Sequence, residues 1–185
     1  MFARNSRPPK AVIKSNLLAG REPDAQAIAG ARRLYRKALL LAKIRKLWSF
    51  VSRQHQSPII LDDYRNVDSV YRWRYIGVLD IPINWIIGCE TQCDEFDSAF
   101  YPQRSHDSSR WLTIAIARQM GVPAPPIEVI QIGSNYFAQT GHYQISVARA
   151  MGRKILKAYV TSWEINNRIR NSKKRIDLYE LQGPS

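Results

Sequence analysis

The stretch Tyr136–Val160, YFAQTGHYQISVARAMGRKILKAYV, decides the fold. It reads as a strand, a glycine turn, a short helix and a second strand. Tyr136–Gln139 is aromatic and apolar, and Thr140-Gly141 interrupt it. From His142 to Met151, the residues Ile145, Ala148 and Met151 recur at the spacing of one helical face. Gly152 stops that helix, and Ile155, Tyr159 and Val160 suit a final strand. A glycine turn that opens a helix leaves backbone N–H groups without intrahelical partners, converging where a phosphate would sit.

Working outward, Ser108 and Ser109 supply a cap for a helix running to about Met120, with Trp111, Leu112, Ala115 and Ile116 as its core face. Gly121 closes it. Pro123–Pro126 (PAPP) force extended backbone into a strand over Ile127–Ile132, and Gly133-Ser134-Asn135 turn that strand back into Tyr136–Ala138. Upstream, Tyr75–Ile81 opens the folded module. Ile81–Gly88, IPINWIIG, is a strand-like apolar run, and Cys89–Tyr101 is an acidic, aromatic connection. The order of strand, helix, β-hairpin, helix and strand over residues 75–164 is that of a small α+β domain with a mixed sheet and short helices.

A long basic amphipathic helix precedes that domain. Glu22-Pro23-Asp24 mark its start, with acidic residues at the positive end of the dipole. From Ala25 to about Arg53, Ile28, Leu34, Leu41, Ile44, Trp48 and Val51 recur in steps of three, four or their sums, which predicts an apolar stripe with cations between. Residues 1–21 read as a flexible basic tail, 22–56 as the helix, 57–74 as a connecting segment with a short helix over Leu61–Tyr71, and 165–185 as a basic C-terminal tail. The chain of 185 residues carries a net charge of +13, of which +11 falls in residues 1–56 and +3 in residues 165–185. A near-neutral module with basic ends is the pattern of a protein that meets a polyanion.

The composition excludes several classes. The apolar fraction of 45% is that of a folded protein. The apolar part of the long helix is broken by Lys43, Arg45 and Lys46, so it does not span a membrane. No signal peptide is evident, and a cytoplasmic protein is expected, with association to the nucleoid compatible with its charge. Two cysteines, Cys89 and Cys93, are too few for a disulfide scaffold and are read as free thiols in a reducing compartment. With only His55, His106 and His142 as imidazoles and no paired knuckle, no metal site is expected. Asp94, Glu95, Asp97 and Asp107 offer carboxylates for Mg²⁺, but the plainer reading is a solvated acidic loop.

These motifs, in this order, resemble the ParB N-terminal/sulfiredoxin-like superfamily over about Ile76–Trp163. IPINWIIG is similar to that fold's opening segment, PPIEVIQIGSNYF to its central hairpin, and TGHYQISVARAMG to its phosphate-binding turn and helix. Small bacterial ParB-like proteins with a turn of the form DGHHRVSVAR also carry a segment similar to Cys93–Trp111. The resemblance implies a nucleotide site, since ParB proteins bind and hydrolyse CTP, sulfiredoxins use ATP to repair an oxidised cysteine, and some relatives are nucleases. It implies that Gly141 is the turn glycine and His142 the signature histidine. Gln144 stands where the family has a phosphate-gripping arginine, and a neutral amide lacks that charged fork. Arg149, Arg153 or a cation of the arm would then have to substitute. No cysteine lies within Tyr136–Val160, which sets sulfiredoxin chemistry aside. The segment after Trp163 is too short for ParB's helix-turn-helix domain.

The candidate nucleotide or phosphate site is therefore Gly141, His142, Tyr143, Gln144 and Arg149, with a nucleoside triphosphate and Mg²⁺ as the implied cofactor. His142 is the candidate catalytic group for phosphate-ester hydrolysis, as in a nuclease or NTPase, because a helix start keeps its imidazole neutral. Arg32, Arg33, Arg36, Lys37, Lys43, Arg45 and Lys46, with Tyr35 and Trp48 interleaved, suit DNA or RNA, and Arg170, Lys173, Lys174 and Arg175 add a second basic patch. The rival expectation is a non-catalytic module whose basic helix docks on a protein, a larger complex or a second copy.

Overall fold

The computed structural model describes residues 22–52, 58–61, 72–103 and 108–164. The two expected tails, the helix expected after Leu61, and His55, His106, Asp107, Arg170, Lys173, Lys174 and Arg175 lie outside them. The chain enters at α1 (Ala25–Ser52), which begins as the sequence suggests. The Asp24 carboxylate accepts the Ala27 backbone N–H at 2.5 Å, closing one of the open donors of the first turn.

Six strands follow: β1 (Ile59–Ile60), β2 (Arg72–Pro82), β3 (Ile86–Cys89), β4 (Ile127–Ile132), β5 (Asn135–Ala138) and β6 (Ile155–Glu164). Helix α2 (Ser108–Gln119) precedes β4, and α3 (His142–Ala150) separates β5 from β6. The strands form one mixed sheet in the order β1-β3-β5-β4-β6-β2. β4 and β5 are the expected antiparallel hairpin, with Val129 opposite Ala138 and Ile132 opposite Asn135. β4 runs parallel to β6, and β5 parallel to β3.

The expected single strand Ile81–Gly88 is two strands. β2 ends at Pro82, a short 3-10 turn occupies Ile83–Trp85, and β3 starts at Ile86 on the far side of the sheet. β2 itself is an eleven-residue edge strand lying antiparallel to β6, bulged next to Gly77, whose φ of 128° is open to glycine.

Alternation along the strands sorts the core. Ile86, Ile127, Val129, Tyr136, Ala138, Ala158 and Val160 face α3, where Ile145 and Ala148 meet them. Their neighbours Ile87, Ile130 and Phe137 point to the opposite face with Leu61. The other side of α3, through Tyr143, Val147 and Ala150, packs against α1 and α2. Trp111 of α2 is nearly fully buried there, 5.0 Å from the Tyr35 ring, and its indole N–H donates to Ser146 Oγ at 2.9 Å.

The contact face of α1 departs from the expected stripe. Ala27, Ala31, Tyr35, Ala38 and Ala42 are buried, while Ile44 and Trp48 are 54% and 71% exposed. Small side chains let α1 lie close to α2, so alanine rather than isoleucine or leucine marks the packed face. Tyr35 accordingly belongs to the core and is not available to stack on bases.

Candidate functional site

The turn between β5 and α3 is held from below by β4. Thr140 Oγ1 accepts the Glu128 N–H at 3.2 Å, and the Gln139 N–H donates to the Glu128 carbonyl at 2.9 Å. Gly141 has a left-handed backbone, φ 82°, and a β-carbon there would collide with Ile127. Only glycine fits, and the helix starts at the next residue. The turn and the helix start are where the sequence puts them.

The side chains of that turn do not converge. His142 points to Phe100, with the two rings stacked at 6.4 Å and an angle of 10°. Burial lowers its pKa, opposed by a hydrogen bond to the Ala138 backbone and by the charge of Glu95. Desolvation thus favours the neutral imidazole. The Tyr143 and Phe96 rings meet nearly perpendicular with centroids 5.1 Å apart, and the Arg110 guanidinium lies 4.9 Å from the Tyr143 ring centroid. Gln144, 5% exposed, goes the other way and lines a cavity of about 290 Å³ together with Arg118, Ile127, Arg153 and Lys157. Its Nε2 is a buried donor with no hydrogen-bond partner.

Arg149 closes the structure behind the turn. Its guanidinium donates to the carbonyls of Ile83 and Ile86 at 2.8 Å and of Ala99 at 3.2 Å, and it lies 5.4 Å from the Phe100 ring centroid. Those donors join α3, the turn after β2 and the Cys89–Tyr101 connection.

That connection differs from the solvated acidic loop expected. Asp97 is buried and organises its own segment, its Oδ1 accepting the N–H groups of Ala99 at 2.9 Å and Tyr101 at 2.8 Å. Its other oxygen pairs with Arg45 Nε at 3.1 Å, which docks α1 onto the loop. Asp94 and Glu95 remain exposed. Phe96, Phe100 and Trp111 are packing residues, as expected.

The free-thiol reading is corrected outright. Cys89 and Cys93 form a disulfide with a Cα–Cα separation of 6.5 Å, because the chain folds back on itself directly after β3. The pair lies beside His142, with all three donor atoms within 4.8 Å of one another. Sequence reasoning missed this grouping. Its two halves lie on different elements, and only the parallel pairing of β3 with β5 brings the end of one beside the turn that follows the other.

Of the α1 cations, Arg32, Arg33, Arg36, Lys37 and Lys43 are exposed away from the alanine face, Lys46 is exposed one turn beyond Ala42, and Arg45 is half exposed in its pair with Asp97. Leu40, Ile44, Leu47 and Trp48 are exposed among them. No described helix is long and apolar enough to cross a membrane.

No family model and no curated protein sequence matches the chain. Among solved structures it is similar to the crystal structure of sulfiredoxin from Arabidopsis thaliana, at 14% identity and a TM-score of 0.34. The match covers 45% of this chain and 82% of that one. The likeness concerns the course of the backbone, and no residue role is transferred by it.

Proposed function

We propose that the protein is a nucleic-acid-associated module that grips a phosphate backbone through the solvent face of α1. One observation carries this reading: the helix is divided lengthwise, with an alanine face against α2 and a row of exposed Arg and Lys side chains opposite. Cations on an anchored helix meet successive phosphates without first paying for the ordering of a flexible tail. The test is fluorescence anisotropy on duplex DNA, single-stranded DNA and RNA at several salt concentrations. Binding should weaken linearly on a log–log plot, by about 0.9 per phosphate contacted on duplex DNA. Binding that is indifferent to salt, or unchanged when Arg32, Arg33, Arg36 and Lys37 are replaced together, would sink the idea.

A second reading concerns a phosphate-bearing nucleotide at the β5–α3 turn, supported by the glycine-only start of α3 and by the unpartnered Gln144 Nε2, which shares a cavity with Arg118 and Arg153. Calorimetry with CTP, ATP and GTP in the presence of Mg²⁺ tests it. Heat that disappears in Gln144→Leu supports the reading, and no heat with any nucleotide rejects it.

A further inference from the structure

Two sulfurs and one imidazole nitrogen meet at a point that neither reading above uses. Cys89 ends β3, Cys93 sits in the following connection, and His142 is the first residue of α3. The cysteines are 0% and 8% exposed. The histidine is oriented in a chemically specific way. One ring nitrogen is hydrogen-bonded to the Ala138 backbone, and Nε2 is buried without a partner. A neutral imidazole has one N–H and one lone pair, and a carbonyl can only accept. The proton is therefore on Nδ1, which leaves a bare lone pair on the buried Nε2, in a ring that has a nitrogen within 4.8 Å of the two sulfurs. A metal-binding histidine is supported in the same manner, its second nitrogen donating to a carbonyl that fixes tautomer and ring orientation. Without a ligand, an acceptor buried in this way loses its water and gains nothing in return.

We propose that Cys89, Cys93 and His142 form a redox-gated site for Zn²⁺, open when the cysteines are reduced and closed in the disulfide form. Opening takes two electrons and two protons from a dithiol reductant, which becomes a disulfide as the Cys89–Cys93 bond breaks into two thiols. Zn²⁺ then displaces both thiol protons to solution and accepts two thiolates and Nε2. Two soft sulfurs and one imidazole select a thiophilic d10 cation over Mg²⁺ or Ca²⁺. Three protein ligands leave the fourth tetrahedral position to water or to the Glu95 carboxylate, whose charge reaches His142. The inference is independent of the α1 reading, since it involves no residue of that helix.

The test uses the full chain in two preparations, one reduced with a phosphine that is then removed, the other left oxidised. Co²⁺ serves as the spectroscopic probe and Zn²⁺ as its competitor. The reduced chain should develop a thiolate-to-cobalt charge-transfer band that saturates at one equivalent and is bleached by Zn²⁺; the oxidised chain should show none. His142→Gln and Cys93→Ser should each weaken Zn²⁺ binding, read against a chromogenic chelator, by roughly 10- to 100-fold or more, the range seen when even supporting groups are lost. Equal metal uptake by the two preparations overturns the proposal, as does a reduced chain with no band, or a His142→Gln protein that binds as tightly as its parent. Where a variant fails to fold by circular dichroism, the comparison of the two unaltered preparations decides.

Discussion

Helices α1 and α3 both carry polar chemistry, and they handle it in opposite ways. α1 turns its cations to water and packs on alanine, so its charge acts at a distance and is screened by salt. α3 takes His142, Gln144 and Arg149 inward, where each acts only on atoms it touches. The sequence stretch that looks most like a ligand site therefore turns its polar side chains inward, and the plain-looking basic helix is the one that leaves its charges in solvent. Polar residues in a desolvated setting are expected to dominate stability, and exposed ones to dominate association. Substitutions can break that division or sharpen it.

The largest effect on stability should come from Arg149→Ala. It strands three carbonyls, those of Ile83, Ile86 and Ala99, and removes a charged donor set, a loss of about 3 kcal/mol or more. Urea unfolding followed by tryptophan fluorescence checks this. Arg149→Lys should recover only part of it, since an ammonium cannot reproduce the planar fork. An Arg149→Ala protein as stable as its parent would mean that the guanidinium is available for a ligand after all.

Next in size is Ser146→Ala, which leaves the Trp111 indole N–H without its acceptor in the α1–α2–α3 core, at a cost of about 1–3 kcal/mol. The same unfolding measurement applies. Below it lies Asp24→Ala, which removes the cap of α1 and should lower stability by about 1 kcal/mol. If the loss at Asp24 rivals that at Ser146, α1 contributes more to the folded core than its alanine face implies.

Much of this was legible in the sequence, for identifiable reasons. Gly141 and Gly152 punctuate α3, Pro123–Pro126 force the entry to β4, and Gly133-Ser134 turn β4 into β5; each constraint is local and survives tertiary context. β2 was not legible as a separate strand. Ile76, Val78 and Leu79 are exposed on it, so apolar spacing did not report its pleat, and its pairing partner β6 lies at the other end of the domain. The packed face of α1 was hidden because alanine carries little hydrophobic signal, while the conspicuous Ile44 and Trp48 face solvent. At the candidate site, the turn was readable but its side chains were not. His142 and Gln144 are two residues apart on a helix and diverge, one towards Cys89 and Cys93, the other towards the cavity with Arg153. Grouping of that kind is set by strand pairing, which no spacing in the sequence encodes.

The smallest stability effect, and the sharpest test of the comparison, is the pair Arg36→Ala and Lys37→Ala. Both side chains are exposed on α1, away from Ala31, Tyr35 and Ala38, and alanine is the better helix former. The urea midpoint should stay where it is. Binding to a short duplex should nevertheless weaken, and the salt slope should fall by about 0.9 for each phosphate contact removed. A matched change at Leu47 and Trp48, also exposed, separates the alternatives on the same helix. If the apolar pair governs association and the cations do not, α1 docks on a protein surface. If the cations govern it and the slope moves as stated, the helix is reading phosphates, and the division of labour between α1 and α3 holds.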